Sequence, residues 1–78
     1  MNAAGYVLAL AFLEGGGLPL PHRAAWASFL RRLEPHPADV HEAAQMLHVS
    51  GHLRHDRLTP EGARAALEVL HLTLAPPF

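Results

Sequence analysis

The first apolar segment of the chain, residues 3–13, has no polar side (A-A-G-Y-V-L-A-L-A-F-L). A run this short is compatible with a buried helix or with a buried strand. Ala and Leu dominate it, and glycines follow Glu14, so the pattern favours a helix over residues 3–14 that stops at a glycine. Because a helix that is apolar on every side has no face for water, it must be enclosed by its own domain or by a partner.

The next two segments have the spacing of amphipathic helices. A helix is predicted over residues 21–34, between prolines, and its apolar side consists of Trp26, Phe29, Leu30 and Leu33. Another is predicted over residues 38–50, and its apolar side consists of Val40, Ala43, Ala44 and Leu47. Asp39 followed three positions later by Glu42 suggests a capping box at the start of this third helix.

A fourth helix is predicted over residues 59–74, with a strong start signal. Thr59 is a good cap, Pro60 suits the first helical position, and Glu61 is favoured near the positive end of the helix dipole. The preceding residues, 52–58, are compatible with a further helical turn, a loop or a short strand. The chain is therefore expected to form a single all-α domain of four helices.

The composition indicates an apolar surface beyond the core. Seventy-eight residues suffice for one domain with a small stability margin. Half of them are apolar before glycine is counted, whereas about 45–50% is usual with glycine included. The surplus predicts a protein partner, and a homo-oligomer is the ordinary one for a short chain. The expected contact residues are Tyr6, Leu10, Leu13, Val69 and Leu72.

Charge and segment length restrict the other partners. Six arginines, with no lysine, oppose seven acids, so no broad field attracts nucleic acid or anionic lipid. The absence of Lys and Ile beside abundant Ala, Leu and Pro indicates a GC-rich, bacterial coding bias. The first apolar run lacks a preceding basic residue and is shorter than the roughly 20 residues of a membrane helix. These features predict a cytoplasmic protein without a membrane span.

The residues that carry chemistry do not form a known enzyme pattern. There is no Cys, and the glycines at 15–17 are not followed by the Lys of a phosphate-binding loop. A domain of this size has little room for an enclosed pocket of about 300 Å³. The expected function is non-enzymatic and independent of a cofactor, as a regulatory or adaptor module that binds protein.

Seven histidines are unusual for this length, and four of them are clustered: His41, His48, His52 and His55. In one unbroken helix over residues 39–56, steps of about 100° would place these four within an arc of roughly 60°. Imidazoles three or four positions apart can share a Zn or Ni ion. A helix that ends at Gly51 would separate them instead, so a metal site and ordinary surface histidines are the two alternatives.

Residues 46–70, M-L-H-V-S-G-H-L-R-H-D-R-L-T-P-E-G-A-R-A-A-L-E-V-L, resemble the end of winged-helix and helix-turn-helix transcription regulators. In winged-helix proteins a recognition helix leads through a glycine and a short basic strand into a helix that starts L-T-P-E-G. The resemblance implies a vestigial wing at 52–58. It also implies that Arg54 and Arg57 contact DNA phosphates.

Other residues bear on the same DNA-binding hypothesis. Arg31 and Arg32 would be additional phosphate contacts. Asp39 and Glu42 place negative charge on the helix that would read bases, which disfavours an approach to phosphate. Protein binding is therefore the first prediction, and DNA binding is the alternative.

Overall fold

The computed structural model describes residues 2–15 and 20–70. Within these residues four helices and one small sheet follow in the order α1 (Ala3–Glu14), α2 (Leu20–Arg32), α3 (Pro37–Val49), β1 (Leu53–Arg54), β2 (Arg57–Leu58) and α4 (Pro60–Glu68). The predicted all-α domain is confirmed, because each strand has only two residues. The last part of the predicted fourth helix, residues 71–74, lies outside the described residues.

Helix α1 lies at the centre of the fold and packs against α2, α3 and α4. The Asn2 side chain caps it by accepting a hydrogen bond from the Gly5 N–H at 2.7 Å. At its other end the Gly15 N–H donates to the Ala11 carbonyl at 3.0 Å. The apolar segment is therefore a helix rather than a strand, and its own chain buries Tyr6, Leu8, Ala9 and Leu13.

Two apolar clusters hold the helices around α1. One joins α1 to α2 and to the end of the described chain, and its buried members are Tyr6, Ala9, Leu13, Trp26, Leu30 and Leu70. The other joins α1 to α3, β1 and α4, and its buried members are Leu8, Leu47, Leu53 and Ala66. Within α2, the rings of Trp26 and Phe29 meet edge to face with centroids 5.9 Å apart. Each surrounding helix thus gives its apolar side to α1.

The start of α3 differs from the prediction. His36, not Asp39, is the N-cap, and its Nδ1 accepts a hydrogen bond from the Ala38 N–H at 3.1 Å. Pro37 occupies the first helical position, where its fixed φ favours helix and its missing N–H costs nothing. Asp39 lies in the first turn, where its charge still complements the helix dipole.

The segment between α3 and α4 is a hairpin. Leu53 pairs with Leu58 and Arg54 with Arg57. The two turn residues, His55 and Asp56, have φ of 53° and 60°, the positive values that a type I′ turn requires. The hairpin occupies the segment 52–58, where a vestigial wing was expected. It consists of two strands of two residues each.

Helix α4 begins in close contact with the base of this hairpin. Thr59 caps α4 as predicted, since its Oγ1 accepts a hydrogen bond from the Gly62 N–H at 3.1 Å. The same hydroxyl donates to the Gly51 carbonyl at 2.6 Å. A Cβ atom at Gly62 would overlap the carbonyl oxygen of His52 and lie 2.9 Å from its carbonyl carbon. The absence of a side chain at Gly62 therefore lets α4 approach the hairpin.

Replacing Gly62 by Ala is expected to lower the free energy of unfolding by about 3 kcal/mol, because backbone atoms of His52 obstruct the methyl group and cannot rotate away. Urea unfolding followed by circular dichroism measures the change. Gly15→Ala is the matched control, since a Cβ there comes no closer than 3.3 Å to a neighbouring atom. Equal losses for the two variants would contradict this account of the contact.

Tyr6 is a titratable residue in the core, and only 6% of its surface is exposed. Burial raises the pKa of the Tyr6 phenol above its ordinary value, and the carboxylates of Glu34 and Glu14 raise it further. The folded chain therefore holds the phenol proton more tightly than the unfolded chain does. Stability from this difference is fully present below the unfolded pKa and is lost as the pH rises through the folded pKa.

The free energy of unfolding is expected to fall as the pH rises above about 10, the pKa of an unfolded Tyr. Tyr6 is the chain's single Tyr, and the sequence has no Lys or Cys, so no other side chain titrates between about pH 9 and 11. Urea unfolding across that range measures the loss. Tyr6→Phe is expected to remove the pH dependence, and the same decline in Tyr6→Phe would refute the assignment.

Candidate functional site

Several residues that were predicted at an interface are buried or partly buried in the folded chain. Tyr6 and Leu13 are 6% and 3% exposed and belong to the cluster that joins α1 to α2. Leu10 and Val69 are partly buried and pack against that cluster. Leu72 lies outside the described residues. Since intramolecular packing occupies these side chains, a surface for a partner is better sought elsewhere.

The most exposed large apolar side chains of the described residues lie on α3. Val49 is 90% exposed and Met46 is 65% exposed, whereas Leu33 and Leu67 reach only 38% and 40%. Met46 and Val49 are three positions apart and therefore share a flank of the helix. We call this flank the α3 flank and include in it Glu42, which lies between the two apolar residues around the helix axis.

The sequence contained a signal for this flank. Met46 and Val49 are apolar, yet they lie off the side of α3 that carries Ala43 and Leu47 into the core. Ala43 and Leu47 are each 7% exposed. An apolar pair on the second side of an amphipathic helix is such a signal, whereas the residues predicted for an interface were Tyr6, Leu10, Leu13, Val69 and Leu72.

A groove of about 660 Å³ runs beside Met46, between the start of α1 and α3. Ala3, Ala4 and Ala43 line it with small side chains. Because these methyl groups leave room above them, the groove can receive a larger apolar side chain from another molecule.

The two ends of this groove differ in their polar groups. Asp39 and Glu42 lie toward the start of α3, and Ser50 and His52 lie beyond its end. The Ser50 hydroxyl donates to the Leu47 carbonyl at 3.1 Å, and His52 Nδ1 lies 2.6 Å from the Ser50 Oγ. The groove therefore has carboxylates at one end and a hydroxyl and an imidazole at the other.

The four candidate metal-ligating histidines do not share a helix, because α3 ends at Val49 and Gly51 has a φ of 82°. His41 remains on α3, whereas His52 follows the helix and His55 lies in the hairpin turn. In the part of the chain that the structure describes, no group of three or more His, Asp or Glu residues could hold a metal ion.

His48 instead connects α3 to the tip of the hairpin. Its Nδ1 lies 2.8 Å from the Ala44 carbonyl oxygen. Its Nε2 lies 3.3 Å from both the backbone nitrogen and the Oδ1 of Asp56. Among residues 2–15 and 20–70 this is the only pair of an acidic and a basic side chain within salt-bridge distance, and its contacts join the hairpin tip to the side of α3.

Arg54 and Arg57 face each other across the hairpin, and both are exposed. Like charges directly opposite on neighbouring strands destabilise the pairing. Within the described residues neither guanidinium forms a salt bridge, so the pair is available to an anion. Arg31 and Arg32 are exposed in the last turn of α2, a separate element of the fold.

None of the helices in the described residues has the length and hydrophobicity that a membrane crossing needs. No protein-family model matches the chain, and no curated protein or solved structure matches it at a significant level.

Proposed function

We propose that this protein is a non-enzymatic binding module and that the α3 flank, with the groove beside it, is its contact surface for another protein, a second copy included. The exposure of Val49 carries the proposal: 90% of a β-branched apolar residue lies in water. An exposed Val at a helix end is not needed for the stability of a monomer, whereas its burial at an interface contributes to the binding free energy.

The gain from covering the flank is sufficient to matter for binding. Full burial of a Val or a Met side chain contributes about 1.5–3 kcal/mol each. Burial of the groove's alanines adds to this when a partner side chain enters. Exposed apolar groups that lie next to a groove and have polar residues at its rim are typical of a protein contact.

The polar groups near the groove have structural tasks, which supports a binding function over catalysis. Ser50 and His52 have the separation of a nucleophile and its base. The Ser50 hydroxyl, however, donates a hydrogen bond to the Leu47 carbonyl near the end of α3. Thr59 similarly uses its hydroxyl to join Gly51 to the start of α4.

A photo-crosslinking amino acid in place of Val49, introduced in the native host, is expected to form covalent adducts with protein. The same amino acid in place of Arg64, which lies on α4 away from the groove, is the control and is expected to form none. Adducts are separated by gel electrophoresis and identified by mass spectrometry. No adduct from position 49, or equal adducts from both positions, would refute the proposal.

DNA binding through the hairpin is the second candidate function, and the facing arginines favour it. Arg54 and Arg57 are cross-strand partners, so a phosphate between the guanidinium groups would relieve their repulsion. Attachment of this kind involves the backbone of DNA rather than its base sequence. Asp39 and Glu42 keep the start of α3 away from phosphate.

Weak binding to duplex DNA that is lost with added salt is expected in an electrophoretic mobility or fluorescence anisotropy assay. Arg54→Ala and Arg57→Ala are each expected to reduce the slope of log affinity against log salt by about 1. Arg64→Ala is the control on α4 and should leave the slope unchanged. No binding at low salt would eliminate this second function.

A further inference from the structure

We propose that His48 is a pH-dependent switch that holds the hairpin tip to α3 in two different ways. Its Nε2 atom lies 3.3 Å from two atoms of the same residue, the backbone nitrogen and the Oδ1 of Asp56. The backbone N–H is a hydrogen-bond donor and the carboxylate oxygen is an acceptor. A neutral Nε2 can pair only with the N–H, and a protonated Nε2 can pair only with the carboxylate. The switch is independent of what the α3 flank or the hairpin arginines bind.

The other ring nitrogen determines which atom gains the proton. His48 Nδ1 lies 2.8 Å from the Ala44 carbonyl oxygen, which can only accept a hydrogen bond. Nδ1 therefore carries a proton in both states, and in the neutral ring Nε2 has a free lone pair. The Asp56 N–H donates to that lone pair. A proton taken from water adds to Nε2 and displaces this hydrogen bond.

A protonated ring has its new partner already in place. The Asp56 carboxylate lies within salt-bridge distance of Nε2, and His48 is in the last turn of α3, where the helix dipole is compatible with a positive charge. Other charged or titratable side chains line the depression beside the ring, from the hairpin and from the start of α4: Arg54, His55 and Glu61. Arg54 repels a charged ring and Glu61 attracts it, and Asp56 supplies the direct contact.

The exchange of partners changes the contact between the hairpin and α3. In the neutral state the ring holds the backbone of the turn, at the residue where Asp56 has a φ of 60°. In the protonated state the ring holds only a side chain that is 94% exposed, and a salt bridge in water contributes little. The backbone of the tip is therefore held to α3 above the pH range in which imidazoles titrate, and is released below it.

The tautomer of the neutral ring is the first measurement. Nuclear magnetic resonance of the isotope-labelled full chain shows which ring nitrogen of a histidine carries the proton. At about pH 8 the His48 proton is expected on Nδ1, because the Ala44 carbonyl accepts a hydrogen bond from that atom. A proton on Nε2 would overturn the switch, since Nε2 could not then accept from the Asp56 N–H.

A titration of the same sample from about pH 8 to about pH 5.5 follows the exchange of partners, because imidazoles change charge in this range. The signals of the Asp56 backbone amide and of the Asp56 carboxyl carbon are expected to shift along one curve, that of the His48 ring. One proton breaks the first contact and forms the second, so the three signals change together. His48→Gln is expected to abolish both Asp56 shifts, because the Gln side chain does not titrate.

His55→Asn is the matched control. It removes the imidazole next to Asp56 in the turn, and Asn tolerates the positive φ of this position. Both Asp56 shifts are expected to persist in this variant. Shifts that persist in His48→Gln, or that disappear in His55→Asn, would assign the pH dependence to another group and overturn the switch. Circular dichroism shows whether the variants fold, and the tautomer is measured on the unaltered chain, so it tests the switch even if a variant does not.

Discussion

The enclosure of α1 is the constraint on which the rest of the structure depends. Ala9 has no exposed surface, and neither does Leu30, which α2 contributes to the same cluster. An all-apolar helix needs neighbours on every side, and this short chain supplies them by turning the apolar sides of α2, α3 and α4 inward. Each of those helices then has one side packed against α1 and another side that faces solvent.

The α3 flank follows from that commitment. Helix α3 gives Ala43 and Leu47 to the interior, so Met46 and Val49, which lie at other angles around the helix, face outward. Covering them within one chain would require another element against α3. The largest exposed apolar side chains of the described residues, Met46 and Val49, therefore lie on the side of α3 that faces away from α1.

Local signals made much of the fold predictable. The Ala and Leu content and the glycines after Glu14 indicated the range of α1, and Thr59 with Pro60 marked the start of α4. The predicted N-cap of α3 was wrong, because the helix begins at Pro37 after the cap His36, and Asp39 lies in its first turn. The hairpin was not predicted, because its turn residues His55 and Asp56 have positive φ without the glycine that usually marks a type I′ turn. Apolar character identifies a buried helix without showing what buries it, so the sequence did not show that the chain itself buries Tyr6 and Leu13.

The two proposed functions are compatible because they use different sides of α3. Met46 and His48 are two positions apart and point to nearly opposite sides of the helix. The contact of His48 with Asp56 holds the hairpin tip on the His48 side. A protein bound at Met46 would therefore leave Arg54 and Arg57 exposed on the hairpin.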